Sequence, residues 1–298
     1  MLVFSKPKLA DKLWITNILE NNKRQGCGYC FGNIFMWNNV YKTEIANYNG
    51  CLFAKSENRA EKISYAFPAG NSDIENLIEI IEKDASERQR KFIIYAIEKD
   101  DKDLIEEKMP DKFEFSLDRD NSDYVYLVED LINLAGRKYH SKRNHISFFE
   151  NNFNWKYEEI DSTNIDECFE MNKEWLRKNI ENNKDGLMDE SEAISLAFEN
   201  FFELNFKGGL LRTDDKIVAY TMGEKLNDET FCTHIEKAYS DIRGAYPMIN
   251  KCFASNTIKD YKYVNREEDM GIEGLRKAKL SYNPYSIVKK YTAVLKND

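Results

Sequence analysis

Residues 208–236 read GGLLRTDDKIVAYTMGEKLNDETFCTHIE, and two polar breaks divide the stretch into three. Asp214-Asp215 and Leu226-Asn-Asp228 are turn-forming runs, because short polar side chains hydrogen-bond the nearby backbone and tolerate left-handed geometry. Between them Gly208–Arg212, Lys216–Gly223 and Glu229–Glu236 carry the apolar and β-branched residues of a three-stranded meander. Working outward, Trp155–Ile160 predicts a strand, Asp161-Ser-Thr-Asn164 caps a helix over 165–182, and Met188–Leu204 adds another. Beyond the meander a helix runs from Gly244 towards Lys259. A strand (Lys262–Asn265), a helix (Gly274–Leu280) and a closing strand (Ser286–Leu295) follow.

The first half repeats this order. An amphipathic stretch at Lys12–Asn22 and the Gly-rich GCGYCFGN lead into strands over Tyr41–Lys55, broken by Asn49-Gly50, and Lys62–Pro68. Ser72-Asp-Ile-Glu75 reads as a capping box opening a helix to Arg88, in which Ile74, Leu77, Ile78, Ile80 and Ile81 recur at helical spacing. Lys91–Ile97 is a short apolar strand, Asp101–Lys108 a charged helix, and Phe113–Leu117 and Tyr124–Val128 two further strands. Two helices, a meander, a helix, a strand, a helix and a last strand is the element order of the GNAT acyltransferase fold. The expected fold class is therefore α/β (α+β), with tandem GNAT-like (acyl-CoA N-acyltransferase) domains, each a mixed, mainly antiparallel sheet flanked by helices. Their expected bounds are 1–125 and 155–298, joined by a helical segment at 126–154.

A length of 298 residues suits two such domains, and 42% hydrophobic against 32% charged residues is a globular composition. No apolar run is long enough to span a bilayer and the N-terminus carries charges, so a cytosolic protein is expected. The net charge of −9 argues against a surface that coats nucleic acid as a whole. The six cysteines are too sparse for a disulfide-stapled fold, and Cys27-Gly-Tyr-Cys30 lacks the second ligand pair that zinc needs, so no metal is expected.

Four stretches could carry chemistry. On Thr230–Lys237 a period of two places Cys232, His234 and Glu236 on one face, making His234 and Glu236 a candidate proton-transfer pair; a packed imidazole beside a solvated carboxylate is the plainer alternative. In Asp241-Ile-Arg-Gly244-Ala-Tyr246, Arg243 and Gly244 could meet a phosphate. Acetyl-CoA enzymes of the GNAT fold, however, carry a basic or amide residue where Asp241 stands and a small one where Tyr246 stands. Asn265, Arg266, Glu267, Glu268 and Asp269 follow an apolar strand, the usual place of α/β active sites, with Asp269 a third candidate base. Arg276, Lys277 and Lys279 add positive charge for an anionic substrate, and Arg276 and Lys279 share a helix face. Arg137, Lys138, Lys142 and Arg143 form a basic run with no acid from 131 to 149, either a dock for phosphate of tRNA, nucleotide or lipid or a solvated helix face.

GIEGLRKAKLSYNP at 271–284, preceded by NREEDMG and by HIEKA, RGAY and IN, resembles the phosphatidylglycerol lysyltransferase C-terminal-like family, a tandem GNAT arrangement related to the Fem aminoacyltransferases. Gly274, Leu275, Arg276, Lys277 and Lys279 match its Gly-Leu-Arg-x-x-Lys element. The lysyltransferases carry a long membrane-embedded region, and this sequence shows none, so the likeness is to a freestanding soluble branch. The resemblance implies transfer of an aminoacyl or acyl group to an amine or hydroxyl acceptor, from aminoacyl-tRNA or acyl-CoA, without a covalently bound cofactor. An anionic small molecule or lipid headgroup is the partner it implies. The alternatives are an acyl-CoA N-acetyltransferase and a non-catalytic protein that binds an anionic ligand or a partner.

Overall fold

The computed structural model describes residues 2–20, 23–57, 63–182 and 184–296. The chain divides into two compact units, Met1–Asp123 with Glu267–Glu273 and Ile287–Asp298, and Tyr124–Arg266 with Gly274–Ser286. The first holds α1 (Lys12–Leu19), α2 (Phe31–Met36), β1 (Glu44–Tyr48), β2 (Cys51–Glu57), β3 (Ile63–Ala66), α3 (Ile74–Glu87), β4 (Ile93–Glu98) and α4 (Lys99–Lys108). β5 (Phe113–Leu127) passes into the second unit at Tyr124. There follow α5 (Val128–Asn133), α6 (His140–Asn152), β6 (Trp155–Glu159), α7 (Ile165–Asn179), α8 (Lys184–Glu199), β7 (Lys207–Thr213), β8 (Lys216–Lys225), β9 (Thr230–Ala238), α9 (Ala245–Asn256), β10 (Tyr263–Asn265) and α10 (Glu273–Leu280). β11 (Ser286–Leu295) returns to the first unit.

That division differs from the expected bounds. Residues 126–154 lie within the second unit, and β11 completes the first unit's sheet by pairing antiparallel with β4, Lys290 opposite Glu98. The two strands expected at Phe113–Leu117 and Tyr124–Val128 are one, β5, and in the polar run between them Asp118 accepts from the Asn121 side chain at 2.8 Å. The start expected at Lys62 lies outside the described residues.

In the first unit β1, β2 and β3 form the antiparallel meander, and β3 then pairs parallel with β4. Asn49 and Gly50 turn the β1–β2 hairpin with φ of 52° and 73°, the left-handed pair that such a turn requires. α3 buries Ile74, Leu77, Ile78 and Ile81 on one face against Phe53, Tyr65 and Ile94, each side chain contributing roughly 1.5–3 kcal/mol. The expected capping box is absent: the N-cap is Asp73, and Ser72 Oγ accepts from the Asn76 side chain at 2.9 Å.

The second unit is built on the same plan. β6, β7, β8 and β9 run antiparallel in sequence, β9 pairs parallel with β10, and β10 pairs antiparallel with the end of β5. One core packs Phe149, Met248 and Ile249 of α6 and α9 against Leu211, Ala219 and Ala238 of the sheet. α7 and α8 meet the sheet through Tyr220, whose hydroxyl donates to Asn172 at 2.7 Å and whose ring lies 5.4 Å from Phe198.

Candidate functional site

The parallel pair of the first unit separates. β3 and β4 are in register only at Tyr65 with Ile94 and Ala66 with Tyr95, and Phe67 N–H donates to Tyr95 C=O at 3.0 Å. Ala96 then takes φ of 58°, while the chain after β3 turns to β2, where Leu52 and Ala69 exchange hydrogen bonds of 2.7 and 3.1 Å. A cavity of about 430 Å³ opens there, a volume ordinary for a small-molecule site. Ala54, Ala66 and Ala69 leave the room, and Trp37, Tyr41 and Phe67 wall it.

Its polar groups gather around the short 3₁₀ turn Cys27–Tyr29. Glu98, the last residue of β4, accepts from Gly26 N–H at 2.8 Å and Gln25 N–H at 3.4 Å. Burial outweighs those donors and lifts its carboxyl from 4.5 to about 7, where it can exchange a proton at neutral pH. Arg24 binds Asp101 through two nitrogens at 2.7 and 2.8 Å and covers the rings of Tyr29 and Phe67 at 4.9 and 4.8 Å. The Tyr29 hydroxyl is buried and has no hydrogen-bond partner among the described residues.

Beside Glu98 lies a buried ion pair. Lys290 Nζ of β11 is 2.6 Å from Asp123 and 3.3 Å from Cys27 Sγ, with Glu268 at 3.9 Å. Burial alone would lower the Lys290 ammonium, but Asp123 outweighs it and keeps it charged. Burial and Asp123 push the Cys27 thiol up, so it is a neutral thiol rather than a nucleophile. Cys27, Asp123 and Glu268 bring three potential metal-ligating atoms within 4.8 Å of one another, with the Lys290 ammonium already supplying positive charge among them. All six cysteines are free and buried.

In the second unit, His234 and Glu236 have different partners. Met222 pairs with Ile235 but Gly223 with Thr233, which leaves His234 as the extra residue of a bulge. Its enclosed ring places Nε2 3.0 Å from Glu224 and Nδ1 3.7 Å from Cys232 Sγ. Glu236 instead accepts from Arg266 Nη2 at 2.7 Å and from Asn250 Nδ2 at 3.2 Å. Asp269, the third candidate base, belongs to the first unit; it is buried, 3.2 Å from Arg119, and accepts from Gly271 N–H at 3.0 Å. These geometries suit structural ties.

Asn265 is buried at the end of β10. Arg266 lies 5.5 and 4.9 Å from the centroids of the Tyr126 and Tyr282 rings; burial alone would lower its pKa, but Glu236 and the two tyrosines raise it on balance. Lys279 Nζ donates to Arg266 C=O at 2.5 Å, Arg276 is half-buried on α10, and Lys277 is exposed. Arg243 stacks 4.3 Å from Phe148, and Gly244 has φ of 93° with α6 so close that an added Cβ would stand 2.3 Å from His145 C=O. That close approach gives the glycine a role in helix packing.

The basic run is largely engaged within the unit. Arg143 donates to the Leu134 and Gly136 carbonyls at 2.5 and 2.7 Å, closing the end of α5, and Lys138 pairs with Asp130 at 3.2 Å. Lys142 Nζ sits 3.8 Å over the Tyr282 ring, and burial with nearby Arg266 lowers its pKa to about 8. Arg137 is exposed.

Sequence reading missed Glu98, Tyr29, Asp123 and Lys290. No spacing links residues so far apart in the chain; the signal present is the Gly-rich 26–29 turn, whose cysteine pair has metal or redox spacing and otherwise reads as a Gly-rich aromatic loop.

The family described as phosphatidylglycerol lysyltransferase, C-terminal, matches residues 20–294. A conserved protein of unknown function from Bacteroides thetaiotaomicron VPI-5482 is 39% identical and superimposes with a TM-score of 0.95 over 99% of this chain and 100% of that one. L-PGS from Bacillus licheniformis superimposes with a TM-score of 0.69 at 13% identity, over 100% of this chain and 95% of that one. A tandem GNAT protein from the clavulanic acid biosynthesis pathway gives 0.52 at 8% identity, over 99% and 98%. An uncharacterized protein of Mycoplasmoides gallisepticum is 26% identical over 183 residues, 57% of this chain and 55% of that protein, so the chain spans about half the length of the curated relative it matches. The more distant likenesses bear out the mixed α/β, tandem GNAT fold expected from the order of elements. By a match that covers nearly its whole length, this chain belongs to the phosphatidylglycerol lysyltransferase C-terminal family.

Proposed function

We propose that this chain transfers an aminoacyl or acyl group to an amine, and that the cavity of the first unit holds this acceptor against Glu98. Membership in a family described by a lysyltransferase supports group transfer in general terms. The observation that carries the reading is a half-buried carboxyl, raised to about 7, lining a cavity where two parallel strands part. An amine arrives as an ammonium. Ionised Glu98 binds it and removes one proton, and the freed nitrogen attacks the carbonyl carbon of the donor ester or thioester. The C–N bond forms as the C–O or C–S bond breaks; of the two protons lost by nitrogen, one passes to the leaving oxygen or sulfur and one to solvent. No covalent enzyme intermediate is needed.

The test supplies a primary amine with either aminoacyl-tRNA or acetyl-CoA and follows deacylated tRNA or free thiol. Transfer from one donor is expected, and Glu98→Gln should slow it roughly 10²-fold or more, the range for loss of a general base. An undiminished rate in that variant overturns the reading. An amine that binds without transfer from any donor assigns the cavity to a binding protein instead.

A further inference from the structure

We infer that the first unit's cavity selects a primary amine on a bulky apolar body, an arylalkylamine or the amine of a large apolar amino-acid ester, over a ligand with a second charge. The inference rests on the reading of this cavity as the acceptor site, and concerns which amine it takes.

Charge gives the first argument. Glu98 and Glu268 line the cavity near the 26–29 turn, and Lys290, the one cation among the described lining residues, is 2.6 Å from Asp123. The positive charge at that end is therefore already matched by a carboxylate outside the lining set, and the end suits a cation. The Tyr29 hydroxyl provides an independent sign. Tyr29 lines the cavity and is 8% exposed, and its oxygen has no hydrogen-bond partner among the described residues. A buried hydroxyl left without a partner costs stability, and a turn of the ring that brought it to an ammonium bound at this end would supply one.

The other walls decide the ligand's body. Ile34, Trp37, Tyr41, Leu52 and Phe67 present apolar surface, with the Trp37 and Tyr41 rings 5.6 Å apart. Polar groups among them are already engaged: Tyr95 Oη is 3.1 Å from Ser56 Oγ, Ser56 Oγ is 3.0 Å from Thr43 Oγ1, and Glu57 is 3.0 Å from Lys42. A second ammonium there would lose its water and find hydroxyls and a carboxylate that are already bound, whereas an aromatic ring would bury apolar area.

Calorimetric titration of the full chain with 2-phenylethylamine, 3-phenylpropionate and pentane-1,5-diamine tests this. 2-Phenylethylamine should bind at least tenfold more tightly than the other two. Ala66→Phe, which fills the cavity, should abolish its binding, and Tyr29→Phe should weaken it several-fold in a protein whose melting temperature is no lower than that of the wild type. Equal or tighter binding of the diamine or of the carboxylate overturns the inference, as does unchanged binding in Tyr29→Phe. Transfer to amines without an aromatic preference overturns this inference alone, while binding of 2-phenylethylamine without transfer overturns the proposed function alone.

Discussion

At Glu98, two backbone donors favour the carboxylate and burial favours the acid, and burial prevails. The folded protein therefore holds a proton between 4.5 and about 7 that the unfolded chain releases, and stability falls as pH rises through that window. Glu98→Gln should flatten this decline, read from urea midpoints across the interval; an unchanged slope would place the titration elsewhere. Lys290 shows the opposite balance, an ammonium that burial would lower and that Asp123 keeps charged. Lys290→Met leaves Asp123 buried without its ammonium and should cost about 3–5 kcal/mol, measured by chemical denaturation. A loss under 1 kcal/mol would mean that Asp123 finds another partner.

Among the elements, local rules were legible and cross-strand geometry was not. Asn49-Gly50 announced its hairpin, and the spacing of Ile74, Leu77, Ile78 and Ile81 announced α3, because each signal lies within one element. The alternation along β9 suggested that His234 and Glu236 act together. Yet the bulge at His234 depends on register with β8, and Glu236 is claimed by Arg266 from β10, neither of which a single strand encodes. Likewise the cavity arises from where β3 and β4 part, a property of two strands and of Ala96 at φ of 58°. The sequence offers Gly244 as a phosphate contact, whereas its positive φ and the approach of α6 give it a packing role. Gly244→Ala should destabilise the protein by roughly 1–3 kcal/mol, the cost of overpacking, with strain at φ of 93° added. Denaturation that shows no loss would remove the packing role.

For the whole molecule, the return of β11 to the first unit matters most. It brings Lys290 to Asp123 and gives β4 its antiparallel partner, so residues from both ends of the sequence build one cavity wall. Ending the chain after Ser286 should therefore abolish amide exchange protection at Ile94 and Ile97 of β4 while leaving it at Ile235 of β9; retained protection in β4 would show that β11 is dispensable. Among the described residues no helix is long and apolar enough to cross a membrane. If Glu98 is the proton acceptor of an amine-directed transfer, the pH dependence of that transfer must follow its carboxyl. In the wild type the rate should rise with pH and level off above about 7 as Glu98 loses its proton, and in Glu98→Gln this rise should vanish along with most of the rate. A Glu98→Gln profile that superimposes on the wild type would contradict the claim.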